Sequence, residues 1–159
     1  MKRYTYLLPI LLVLGLSFAL PGTAGASGGG SWSASVPSDP DMEKAKIAIK
    51  EKNWDKAVEL LNKAASRDPK NAEIQNELGF AERNRGNLDA AFKYYETALT
   101  LNPKHRGAHE YIGEAYLMAG NLPKAEEHLA KLDKLCLFPC EEYSDLKTAI
   151  AKYKQQHPN

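Results

Sequence analysis

Two cysteines and four histidines are the side chains of this 159-residue sequence best suited to redox or metal chemistry. Cys136 and Cys140 stand in the run C-L-F-P-C. That spacing is neither the C-x-x-C of thiol oxidoreductases nor a haem-attachment sequence, and no neighbouring His completes a zinc set. Two readings stay open. Pro139 breaks the local helix, so the two Cα atoms can approach the ~5.5 Å that a disulfide prefers; such a bridge would pin the segments on either side. The rival is a thiol–disulfide redox pair. A loop this short gains little from chain entropy, so the value of a bridge would be local.

His105 and His109 are four residues apart and could share one helix face. A zinc or copper site needs further ligands, and Glu110 projects elsewhere, so no metal is expected. His128 and His157 read as solvated. Glu126-Glu127 and Glu141-Glu142 read as solvated or helix-capping charges. The sequence carries no phosphate-binding loop, no nucleophile elbow and no paired-carboxylate pattern. The expectation is a protein that is not an enzyme and needs no cofactor.

Charge is balanced, with 21 Lys and Arg against 20 Asp and Glu, which argues against a nucleic-acid binder held by a basic face. Lys2 and Arg3 precede an apolar run from Leu7 to Leu20, and Ala24-Gly25-Ala26 follows as a small-residue cleavage site. This is the layout of a secretory signal peptide over residues 1–26, cleaved near Ala26, the alternative being an uncleaved N-terminal anchor. The run is shorter than the ~20 residues of a spanning helix, and no Cys near the site could carry a lipid. An exported, periplasmic protein without stable membrane insertion is expected, in a compartment where cysteines can stay oxidised. Residues 27–38 are rich in Gly and Ser and read as a flexible linker. Trp32 is its odd residue.

The rest of the chain repeats every 34 residues. Asn53, Asn87 and Asn121 keep that step, as do Ala57, Ala91 and Ala125, and Leu61, Tyr95 and Leu129. Pro69 and Pro103 repeat it once, as do Gly79 and Gly113, and Gly86 and Gly120. The apolar residues Ala57, Leu60, Leu61 and Ala64 recur at steps of three and four, as do Ala91, Tyr95, Ala98 and Leu99, which is helical spacing. Gly86 and Gly120 suit left-handed helix ends, and Asp68-Pro69 and Asn102-Pro103 break the helices before them. One such helix is marginal alone, so the units must stack to bury a continuous core.

These columns resemble the tetratricopeptide repeat (TPR), a helix–turn–helix unit. Leu78-Gly79, Ala91, Tyr95, Ala98 and Pro103 carry the pattern in one unit, and Ile112-Gly113, Tyr116, Ala125 and Leu129 in the next. Glu82 departs from the family's Tyr, Leu132 from its last Ala, and Lys44-Ala45 replaces Leu-Gly in the first unit. The resemblance implies an all-α, TPR-type solenoid over residues 39–159. It has three repeats (about 38–71, 72–105 and 106–139), a capping helix over 141–156, seven helices in all and a right-handed superhelical twist. His109 falls where the family often places Trp.

In TPR proteins the first helix of each pair lines a concave groove. Carried over, Asn76, Phe80, Arg83 and Asn84 face it from the second repeat. Glu110, Glu114, Leu117 and Met118 follow from the third, and Lys46, Ile49 and Lys50 from the first. Phe80 and Leu117 read as apolar anchors for a partner, the alternative being that they pack between repeats. The Lys/Asn/Arg cluster of the carboxylate-clamp modules is missing, which disfavours a C-terminal carboxylate ligand. The expected function is a non-catalytic adaptor in the bacterial envelope that binds another protein or an extended peptide. The alternatives are a redox protein using Cys136 and Cys140, and a self-assembling module that forms homo-oligomers.

Overall fold

The computed structural model describes residues 39–158. The signal-peptide and linker segments expected over residues 1–38 lie outside that range. The described residues form seven α-helices and no strand: α1 (Pro40–Lys50), α2 (Trp54–Arg67), α3 (Ala72–Asn84), α4 (Leu88–Leu101), α5 (Arg106–Met118), α6 (Leu122–Leu135) and α7 (Glu141–Gln156). Helices α1/α2, α3/α4 and α5/α6 pack as consecutive pairs, and α7 lies against both α5 and α6.

The turns explain the repeat. Lys52, Gly86 and Gly120 all have left-handed backbones, with φ of 56°, 86° and 74°. At each, the left-handed residue's N–H donates back to the carbonyl three residues earlier (Ile49, Arg83, Leu117). The following Asn N–H donates to the carbonyl five residues earlier (Ala48, Glu82, Tyr116). This is the Schellman closure of a helix end. The same Asn then opens the next helix. Asn53 Oδ1 accepts from the Lys56 N–H, and Asn121 Oδ1 from the Lys124 N–H, satisfying a donor left open at the helix start. Asn87 holds the position without that side-chain bond. In the first turn, Lys takes the left-handed place that glycine fills in the other two.

Second helices end on Asp68, Asn102 and Cys136, all in non-helical geometry. Pro69 and Pro103 enforce this at the first two, because Pro pushes its predecessor out of the helical region. Leu137 stands where the third Pro would fall. There Cys136 at the end of α6 is bonded to Cys140 at the start of α7, with Cα atoms 5.9 Å apart.

Small residues set the helix separations. A Cβ at Gly79 would lie 2.6 Å from the Tyr95 ring, and one at Gly113 would lie 2.6 Å from Leu146 Cδ2. The first contact closes the α3/α4 pair, and the second seats α7 on α5. Three buried clusters follow along the chain, one around Leu61 and Leu78, one around Tyr95 and Ile112, and one around Leu132, Leu146 and Ile150.

One expectation needs correction here. His128 is buried, not solvated. Its Nδ1 lies 3.0 Å from Nδ1 of His109, while His109 Nε2 lies 3.0 Å from the Pro103 carbonyl oxygen. The carbonyl only accepts, so His109 carries its proton on Nε2, and His128 Nδ1–H donates to the free Nδ1 of His109. Burial holds both below the usual histidine range, His128 at about 4. His157 is exposed, as expected.

Candidate functional site: a groove on α3, α5 and α7

Alternate helices run in the same direction, so α3, α5 and α7 lie side by side with like ends together. Their shared face carries two clefts with a polar bridge between them. At the bridge, Arg83 of α3 is 8% exposed and ion-pairs with Glu114 of α5. Its guanidinium also lies 5.4 Å from the Phe80 ring centroid and 5.5 Å from that of Tyr111. Phe80 packs on Tyr111 at 4.9 Å and edge-on to Trp54 at 6.0 Å. The aromatic rings thus lift the desolvated charge off a purely ionic footing, since cation–π contact favours a guanidinium over a ring face.

Toward the C-terminal ends lies a cleft of about 500 Å³, lined by Leu117, Met118, Ala149, Lys152 and Tyr153 beside the Arg83–Glu114 pair. Toward the N-terminal ends lies a second cleft of about 330 Å³. Glu73, Asn76 and Glu77 reach it from α3, Glu110 and Tyr111 from α5, and Glu141, Glu142 and Asp145 from α7, with His105 at the rim. Its electrostatics are those of crowded carboxylates. Burial, reinforced by Glu114, Asp145 and Glu142, pushes Glu110 up to about 8. Burial and the adjacent Glu73 push Glu77 up to about 7. Glu73 moves the other way, because His105 Nε2 hydrogen-bonds it at 3.0 Å. Asn76 is buried on the floor, and its Oδ1 has no hydrogen-bond partner.

The expected groove residues divide accordingly. Asn76 and Glu110 line the acidic cleft, and Arg83, Phe80 and Glu114 form the bridge. Asn84 is exposed and donates through Nδ2 to its own helix, at the Phe80 carbonyl (2.8 Å). Met118 is exposed on the larger cleft. Leu117 is not an exposed anchor: it is buried with Leu146 and Ile150, because α7 covers that part of α5. Ile49 packs against the first core cluster, Lys50 is exposed, and Lys46 pairs with Glu43 at 3.1 Å. The sequence reading missed Glu73, Glu77, Tyr111 and Asp145. A usable signal was the four-residue step of Glu73/Glu77, Glu110/Glu114 and Glu141/Asp145, which puts each acidic pair on one helix face.

Among the described residues no group of three or more His, Cys, Asp or Glu could hold a metal ion, and no helix is long and apolar enough to cross a membrane. Leu137 and Phe138, between the bonded cysteines, are almost fully exposed.

Stacked helical hairpins with a left-handed turn every 34 residues define a helical-repeat solenoid. Two tetratricopeptide-repeat profiles match residues 42–104 and 82–150, and the chain belongs to that family. It is 31% identical over 110 residues to human protein O-mannosyl-transferase TMTC1, covering 56% of this chain and 12% of that protein. It is 30% identical over 119 residues to the human antiviral innate immune response effector IFIT1, covering 62% of this chain and 24% of that protein. The chain therefore spans a quarter or less of these relatives. Among solved structures, the Yersinia enterocolitica type III secretion translocator chaperone SycD overlays with a TM-score of 0.65 at 18% identity, covering 73% of this chain and 82% of that one. The first TPR of Spaghetti (RPAP3), bound to the HSP90 peptide SRMEEVD, gives 0.63 at 20% identity, covering 70% and 88%. These overlays show the fold.

Proposed function

We propose that this protein is an exported, non-catalytic TPR scaffold of the bacterial cell envelope that binds an extended segment of another protein along the α3–α5–α7 groove. The observation that carries the reading is the groove floor. Asn76, Arg83 and Glu110 are buried polar side chains that line the two open clefts rather than a closed core. Burying such groups costs stability unless they are paired, so a fold built only to stack would fill these places with apolar residues. Within this fold the Spaghetti domain holds a peptide, and SycD has been solved with a peptide of the translocator YopD. Export is supported by the layout of residues 1–26 and is compatible with the bonded pair Cys136–Cys140. Here that bridge serves to hold the end of α6 against the start of α7.

The test is crosslinked capture from a native envelope fraction. Wild-type protein is compared with Phe80→Ala/Arg83→Ala and with Met118→Asp, an exposed change that leaves the core untouched. Circular dichroism checks that each variant keeps its helices. Capture of a discrete partner should fall sharply with both. A partner retained at the wild-type level by folded Met118→Asp and Phe80→Ala/Arg83→Ala proteins would remove the groove assignment.

A further inference from the structure

We propose that the disulfide-closed turn between α6 and α7 docks onto a second copy of this chain. Leu137 and Phe138 of each protomer enter an apolar cleft between α4, α5 and α6 of the other, across a two-fold axis.

Leu137 is 95% exposed and Phe138 84% exposed, more than any other large apolar side chain among the described residues. Two such side chains standing next to each other in water mark a surface that binding covers. The Cys136–Cys140 bond closes the backbone on both sides of them. Pro139 also keeps Phe138 out of helical geometry. The pair is therefore presented by a short cyclic turn, which has little freedom left to lose when it docks.

A fitting receptor lies next to the turn. Leu99 of α4, Pro103, and Leu135 of α6 wall a cleft of about 380 Å³, with His109 of α5 on its floor. His109 is buried and both of its ring nitrogens already have partners, so the floor leaves no polar group unmatched. The cleft shares no lining residue with the two clefts of the α3–α5–α7 face, so docking there leaves the groove residues unused.

Charge selects a second copy as the occupant. Lys131 and Lys134 rim the cleft, whereas Asp133 flanks the turn and Glu141 directly follows it. Among the described residues none of these four makes an ion pair. Leu135 of the cleft is one residue from Cys136 of the turn, so receptor and insert are neighbours on one protomer. A two-fold axis between them seats both turns at once and sets each acidic flank against the other copy's basic rim. That is the self-complementary pattern of an isologous interface, with an apolar centre and a charged edge. An anionic membrane is the poorer match, because acids flank the apolar tip.

The test is sedimentation equilibrium of the mature chain, disulfide intact, over about 1–500 μM. A monomer–dimer equilibrium with Kd on the order of 10–100 μM is expected for an interface of this small size. Leu137→Ser/Phe138→Ser changes only exposed side chains and should weaken the dimer by about tenfold or more. Lys131→Glu/Lys134→Glu, which turns the basic rim acidic, should weaken it as well. Circular dichroism checks that both variants keep their helices. In a mixture of isotope-labelled and unlabelled protein, intermolecular NOEs should join the Phe138 ring to the Leu99 and Leu135 methyl groups. A wild-type monomer at every concentration, undiminished association of either folded variant, growth beyond a dimer, or intermolecular NOEs from Phe138 to a different surface would each overturn the proposal. So would a chain that stays monomeric but cosediments with phosphatidylethanolamine–phosphatidylglycerol vesicles in a manner lost with Leu137→Ser/Phe138→Ser, which would assign the turn to a membrane.

Discussion

Replacing Glu110 by Gln keeps the length and shape of the side chain and removes its ability to ionise. The structure predicts that this stabilises the protein near neutral pH. Glu110 is buried among like charges, facing Glu142 and Asp145 of α7 and Glu114 of its own helix, with Arg83 of α3 opposing them, and its pKa is pushed up to about 8 from a usual 4.5. At pH 7 the folded chain therefore holds a proton that the unfolded chain has released. A raised folded-state pKa means stability that is fully present below about 4.5 and lost as pH rises through about 8. At about 1.36 kcal/mol per pH step between the two values, the deficit at pH 7 has a ceiling of about 3 kcal/mol. The cleft is open to water, which screens the like charges, so about 1–2 kcal/mol is the expected gain.

The assay is urea unfolding of wild type and Glu110→Gln, followed by circular dichroism at several pH values between about 4.5 and 8. The midpoint of the variant should lie above that of wild type at pH 7, the gap should widen toward pH 8, and it should nearly close at pH 4.5, where folded wild-type Glu110 is protonated and the unfolded chain has regained half of its protons. A variant less stable than wild type at pH 8 would refute the reasoning. So would a gap of the same size at every pH, because a constant gain would come from packing or hydrogen bonding and not from charge.

Two further outcomes follow from the geometry. Gly113→Ala places a Cβ 2.6 Å from Leu146, so α7 must shift off α5; a loss of roughly 1–3 kcal/mol, with faster amide exchange in α7 than in α3, is expected, and wild-type stability would refute the close-contact account. The His109–His128 pair has the opposite pH sign to Glu110. Both folded-state values are depressed, by burial first and by Lys131 on both rings, with His105 adding for His109 and Lys124 for His128 against an opposing Glu127, so the pair's contribution is present above about 6.5 and lost as pH falls toward about 4. An NMR titration of the His128 ring should show a midpoint near 4, and a midpoint near 6.5 would contradict the buried neutral pair.

What the sequence could reveal depended on whether a residue's role repeats. The turns repeat, and they were legible. The Asn column at 53, 87 and 121 marks residues that close one helix and open the next, and Gly86 and Gly120 fill left-handed places that Lys52 shows a side chain can also occupy. Roles that change along the stack were not legible. Leu117 lies one period after Arg83, yet α7 covers it while the Arg83 place stays beside the groove, because the last repeat has a cap where the others have a neighbour. His128 lies one period after Tyr94, which is itself half-buried, so that column did point inward; the imidazole was misread because its partner, His109, comes from another helix. The acidic cleft is the extreme case. Glu73 and Glu141 share one column and Glu77 and Asp145 another, each two periods apart, but Gly107 and Tyr111 hold the places between them, so no acidic column runs through the array. Only the parallel stacking of α3, α5 and α7 brings the acids together over Asn76. A repeat array can thus keep its turns and core periodic, as stacking demands, while a binding site is written in the departures from that period, where the fold imposes no residue.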